Sequence, residues 1–138
     1  AYVRLEGTIG VIGNGAGLVM ATLDTIQQYG GKPANFLDVG GGAPADKIAT
    51  ALKIVLSDPN VNALFINILG GITRCDEVAQ GILEARAKTG ATKPMVIRLV
   101  GTNEEEGKRM LTEAGIQVLE SMEDAAQRVV EVSRRRGS

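Results

Sequence analysis

The chain has 138 residues, 44% apolar and 3% aromatic, with no Trp, no His, one Cys and a formal net charge of −1. That is one domain's length, and its core must be filled by Ile, Leu, Val and Ala. The composition argues against a nucleic-acid surface, which needs clustered basic charge and stacking aromatics, and against a membrane helix, which needs ~20 apolar residues in a row.

Cys75 has no partner for an intramolecular disulfide, and a reducing compartment is expected. No signal peptide is recognisable, so a cytoplasmic location is expected, or the mitochondrial matrix in a eukaryote. The first residue is Ala1, and strand-like sequence follows at once, so the chain reads as a piece of a longer polypeptide.

Tyr2–Glu6 alternates and Gly7-Thr8 turns, predicting a hairpin-like start that leads into a first core strand at Ile9–Ile12. Ala16–Tyr29 has helical spacing, with Leu18, Ala21, Leu23, Thr25 and Ile26 on its buried face, and Gly30-Gly31 stops it. Asn35–Val39 is the second strand. Pro44 suits the first turn of a helix that runs to about Leu56, with Ile48, Leu52 and Val55 inward; Ser57–Asn60 breaks it. Ala63–Ile68 is almost wholly apolar, as a strand covered on both faces is. Thr73-Arg74-Cys75-Asp76 resembles a capping box with Asp in place of Glu, opening a helix that ends at Thr89-Gly90. Met95–Leu99 is the fourth strand. Asn103 caps a helix ending near Ala114-Gly115, Ile116–Leu119 is the fifth strand, and Ser121 caps a last helix that runs to about Arg135. Arg134–Arg136 reads as a solvated helix end, favourable at the negative end of the dipole.

Strand and helix alternate five times, which predicts an α/β fold: a flavodoxin-like, doubly wound, five-stranded parallel sheet with helices on both faces. Ligands of such sheets bind outside the strand C-termini, at the point where strand order reverses. Four glycine-marked turns fall on that edge: Gly13-Asn14-Gly15-Ala16-Gly17, Gly40-Gly41-Gly42, Gly70-Gly71 and Gly101-Thr102-Asn103.

These turns are where chemistry is sought. Gly13–Gly17 fails the dinucleotide fingerprint because Leu18 holds the third glycine's position. No Gly-Lys-Ser/Thr ending makes a P-loop, and Asp38 ends the second strand, where a phospho-receiver's acceptor does not lie. Gly70-Gly71-Ile72-Thr73 is the anion candidate: free N–H groups and the macrodipole of the helix behind it can hold phosphate or carboxylate, or the turn is an ordinary cap. Asp76, in the first turn, would compete with that anion. Cys75 has either a lowered pKa at the helix start or a packing role. Asn14 can donate to a substrate carboxylate or serve its turn. Arg98 is read as the partner of an acid such as Asp38, and Glu104–Glu106 as helix-start charges. No His or Cys cluster has metal spacing.

Taken together, Gly13–Leu18, Gly31–Ala43, Asn67–Asp76 and Arg98–Asn103 resemble the C-terminal CoA-ligase domain of the succinyl-CoA synthetase (ADP/GDP-forming) β subunit, along nearly the whole chain. Malate–CoA ligase and ATP-citrate lyase share that domain. Two positions depart from the family pattern. Leu69 stands where Phe is common, which reads as a packing change, and Val100 where Glu is common, which removes a charge.

The resemblance implies residues 1–138 as a single CoA-ligase domain that lacks an upstream ATP-grasp domain. The whole enzyme would join succinate or another dicarboxylate to coenzyme A using ATP or GTP and Mg2+, none of these cofactors being bound by this domain alone. It would meet an α subunit whose phosphohistidine points its phosphate at Gly70, Gly71, Ile72 and Thr73. Asn14, Gly71 and Ile72 would lie near the substrate carboxylate. No catalytic residue is expected in the chain, no metal ligand, and no nucleic-acid or membrane partner; self-association through an apolar contact face is expected. The alternative is a non-enzymatic anion-binding or subunit-assembly module of the same fold.

Overall fold

The computed structural model describes residues 2–41, 45–90 and 93–137, with the side chains of 71–73, 136 and 137 outside the description. The elements run β1 (Tyr2–Arg4), β2 (Ile9–Gly13), α1 (Ala16–Gln28), β3 (Pro33–Asp38), α2 (Ala45–Leu56), β4 (Ala63–Arg74), α3 (Cys75–Thr89), β5 (Met95–Thr102), α4 (Glu104–Glu113), β6 (Gln117–Val118) and α5 (Met122–Gly137). The expectations for Gly42, Pro44 and the Arg136 side chain lie outside the described residues.

The sheet is ordered β1-β3-β2-β4-β5-β6. Its five parallel strands have the expected doubly wound order, and a sixth strand corrects the count. β1 does not fold back on β2 as a hairpin. It pairs antiparallel with β3, Tyr2 opposite Leu37 and Arg4 opposite Asn35. Arg4 also approaches the buried Asp58 carboxylate, Nε to Oδ2 3.9 Å. The edge position leaves both faces of β1 uncovered, so Tyr2, Val3 and Leu5 remain exposed, and alternation there signals no buried side.

The core lies on both faces of β4, because neighbouring residues of a strand point to opposite sides. Leu64, Ile66 and Ile68 pack with Ile48, Leu52 and Val55 of α2, Val78 and Ile82 of α3 and Leu111 of α4. Phe65 packs on the other face with Val19 and Ile26 of α1 and Val129 of α5. Phe65 and Ile66 are both 0% exposed; truncating either to Ala would cost about 2–5 kcal/mol. Two glycines bring the α2–α3–α4 layer close together. A Cβ on Gly81 would lie 2.5 Å from the Ala45 carbonyl oxygen, and one on Gly107 would lie 2.7 Å from that of Cys75.

β4 and β5 run further than the apolar pattern suggests. Their ladder reaches Gly70 opposite Gly101 and resumes at Arg74 opposite Thr102, leaving Gly71–Thr73 as a bulge. Strand order reverses between β2 and β4, so the crevice of this fold opens above Gly13 and Asn67, which are opposite one another.

Candidate functional site

Two short polar side chains build the edge at that reversal. Asn14, 8% exposed, exchanges two hydrogen bonds with the backbone of Leu69: Nδ2 donates to its carbonyl at 2.8 Å and Oδ1 accepts its N–H at 2.9 Å. The carboxamide copies a peptide and carries the β2–β4 ladder one step past its last backbone pair. Asp38, at the end of β3, accepts the N–H groups of Gly15 and Gly40 on Oδ1, each at 2.8 Å. It does not meet Arg98, which corrects that pairing. Arg98 donates from Nε to the Glu120 carbonyl at 2.9 Å and from Nη1 to Asn67 Oδ1 at 3.1 Å.

Asn67, 0% exposed, continues this network by donating from Nδ2 to Thr22 Oγ1 at 2.9 Å. Thr22 in turn donates to the Leu18 carbonyl at 2.7 Å. A polar residue in the most apolar strand is therefore satisfied from β5 and α1, as a buried amide must be.

The structure brings Asn14 to the residue before Gly70, so the expected site residues Asn14, Gly70, Gly71, Ile72 and Thr73 lie along one edge. The helix boundary is corrected. The chain stays in β4 through Arg74, and α3 opens at Cys75 with Arg74 as N-cap and no side-chain cap bond. Pairing with β5 outcompetes the capping box. Asp76 turns instead to Arg74 (Nη2 to Oδ2, 3.2 Å) and to Asn103, whose Nδ2 donates to Oδ1 at 3.4 Å. The Arg74 hydrogen bond holds the Asp76 carboxyl below its ordinary pKa, against the opposing effect of desolvation. Asn103 keeps its N-cap position on α4 in left-handed backbone, φ 58°, with no cap bond of its own.

Cys75 is fully buried. Burial, then the charges of Glu104 and Asp76, push its thiol up to about 11, which corrects the lowered-pKa reading and leaves the packing one. Glu104 is a helix-start charge that reaches back: it accepts the Gly101 N–H at 3.3 Å and pairs with Lys108 at 2.9 Å. Leu69, 42% exposed, and Val100 are register partners across the β4–β5 ladder, so the two departures lie side by side.

At the Gly13–Gly17 turn the start of α1 differs from that of the other helices. Gly15 caps it with no side-chain bond, and its first turn holds no acidic residue. The first turns of α2, α3, α4 and α5 all hold acids. An added Cβ would meet nothing within 4 Å at Gly15, Gly17, Gly40 or Gly41, so these glycines face open space. The signal was present as the uncharged run Ala16–Val19. Among the described residues no three His, Cys, Asp or Glu side chains are grouped to hold a metal, and no helix is long and apolar enough to cross a membrane.

Residues 12–132 match the family model described as CoA-ligase. The chain is 60% identical over 136 residues to the succinate–CoA ligase [ADP-forming] subunit β of Rubrobacter xylanophilus, covering 96% of this chain and 36% of that protein. It is 57% identical over 133 residues to the subunit of that name from Desulfurococcus amylolyticus, covering 96% and 35%. The chain thus spans about a third of the length of these curated relatives. Among solved structures, ATP citrate lyase from Methanothrix soehngenii in complex with citrate and coenzyme A superposes with a TM-score of 0.81 at 20% identity, over 94% of this chain and 41% of that one, a likeness of fold. With the family model spanning residues 12–132 and relatives above half identity along nearly its whole length, the chain belongs to the CoA-ligase family.

Proposed function

We propose that the chain is the C-terminal domain of the β subunit of an ADP- or GDP-forming acid–CoA ligase, and that it receives an anion at the strand ends around Asn14 and Gly70–Thr73. In this reading the anion is the phosphate of a phosphohistidine on an α subunit, and a dicarboxylate such as succinate lies beside it. The observation that carries it is the double hydrogen bond between Asn14 and Leu69. It holds the last residue before Gly70 in place at the strand-order reversal, where folds of this kind take their ligands. Backbone N–H groups held rigidly can stabilise a phosphate without reorganising.

The absence of His from the sequence fits a division of labour in which the phosphorylated residue is the partner's. The exposed apolar side chain of Leu69 (42%), directly before Gly70, supports an edge that meets another subunit; without one, self-association through it is expected. Coenzyme A, nucleotide and Mg2+ are assigned to parts of the enzyme outside this chain. Among the described residues no three His, Cys, Asp or Glu side chains are grouped to hold Mg2+. By itself the chain is therefore expected to be inactive with acid, coenzyme A and ATP; turnover would overturn this division.

The test is a titration of the 15N-labelled chain with inorganic phosphate and with succinate, read by amide shifts. Saturable shifts at Asn14 and Gly70–Thr73 support the reading. If neither anion moves them, alone or with the α subunit added, the turn is only a connection, and the non-enzymatic assembly module takes its place.

A further inference from the structure

The carboxylate of Asp38 is used by none of the chemistry above, yet it joins two of the four glycine turns. Its Oδ1 takes Gly40 N–H, two residues ahead, and the N–H of Gly15, the N-cap of α1 just past the neighbouring strand β2. Gly15 directly follows Asn14, and Asn14 holds Leu69. A line of hydrogen bonds and one peptide link thus runs from the end of β3, across the end of β2, to the end of β4. The backbone it crosses has little preference of its own. Gly15 sits at φ 129°, Gly40 at φ 78° and Gly70 at φ 149°, where glycine is freest, and no packed atom lies within 4 Å of a Cβ position at Gly15 or Gly40. Hydrogen bonds, rather than packing, must hold these turns.

We propose that Asp38 is a positioning residue: through Gly15 and Asn14 it sets the Leu69–Gly70 backbone from which the anion turn hangs. The structural link stands by itself, and only its functional consequence rests on the anion reading above. What matters in this role is where the acceptor oxygen lies, with its charge secondary. A ribose- or cation-binding acid would have the opposite requirement.

Two variants separate these. Asp38→Asn keeps an oxygen at the Oδ1 position without the charge. Asp38→Glu keeps the charge and moves it one methylene further out. Amide hydrogen exchange of the chain is followed at Leu69, whose N–H is held by Asn14 Oδ1, and at Phe65, in the buried middle of β4. Asp38→Glu is expected to speed exchange at Leu69 by about tenfold or more while Phe65 keeps its protection, a local opening rather than a global one. Asp38→Asn is expected to retain most of Leu69's protection. The proposal is overturned if Leu69 is unaffected by Asp38→Glu, if Leu69 and Phe65 accelerate together, or if Asp38→Glu is protected and Asp38→Asn is not.

A phosphate titration of the same proteins reads the consequence: weaker binding in Asp38→Glu than in Asp38→Asn. If the unaltered chain binds no phosphate at Gly70–Thr73 while the exchange pattern holds, the anion reading fails and the positioning role stands.

Discussion

Asn14 and Leu69, 55 residues apart, are joined as two peptides would be, side-chain amide to backbone amide, by hydrogen bonds of 2.8 and 2.9 Å. The geometry requires a donor and an acceptor on the same three-atom group. Only Asn offers this at its length, which separates the position from a general turn preference.

Asn14→Asp keeps the acceptor for Leu69 N–H and turns the donor into a second oxygen facing the Leu69 carbonyl. It is expected to lower stability by about 1–3 kcal/mol, the cost of an unmade buried hydrogen bond, seen as a lower urea midpoint with an unchanged slope. Asn14→Ala loses both bonds and should fall at least as far. An unchanged midpoint in both would show that the pair holds nothing.

Asp76→Asn breaks the ion pair with Arg74, which keeps Glu77 (Nε to Oε1, 3.7 Å), and takes one negative charge from the first turn of α3. If an anion is received beside Gly70–Thr73, phosphate should bind more tightly to this variant, in the direction set by the helix dipole; weaker binding would place the anion elsewhere. The carboxyl is held below its ordinary value of 3.8 by Arg74. Its contribution to stability is thus present above that value and lost as pH falls through the lowered one.

Gly107→Ala puts a Cβ 2.7 Å from the Cys75 carbonyl oxygen and 2.9 Å from Leu99 Cδ2. α4 must then move off α3, at about 1–3 kcal/mol for overpacking. Thermal unfolding checks this, with Gly90→Ala as contrast: nothing lies within 4 Å of its Cβ position, but its φ of 63° penalises any side chain.

The thiol of Cys75, at about 11 against an ordinary 9.0, should hold about 100-fold less thiolate at pH 8 than a free cysteine. Iodoacetamide should label it slower by at least that factor in the folded chain, and at the free rate in urea. Between pH 9 and 11 the unfolded state has released a proton that the folded state keeps, so stability falls as pH rises through that window. Alkylation at the free rate in buffer would contradict the burial.

The order of elements was legible because it rests on local periodicity. The apolar runs of β2, β3, β4 and β5, the glycine ends of α1 and α3 and the cap of α5 each depend on residues within a few positions of one another. Ser121 Oγ accepts Asp124 N–H at 2.9 Å as its spacing predicts. The resemblance in motifs, together with the parallel order of the five core strands, was enough to reach the family.

Tertiary contact decided the rest. β1 chose β3 over the nearer β2. β4 runs through Arg74, past the capping-box spacing at Thr73–Asp76, because β5 offers a ladder to Thr102. Asp38 went to Gly15, 23 residues away, and Arg98 to Asn67, 31 residues away, while the charge pattern had paired the two with each other. Such bonds depend on which strand ends the folded sheet sets side by side. A single strand's pattern encodes which face is buried and how long the element runs, but a polar side chain at its end finds its partner only after the neighbours have been placed.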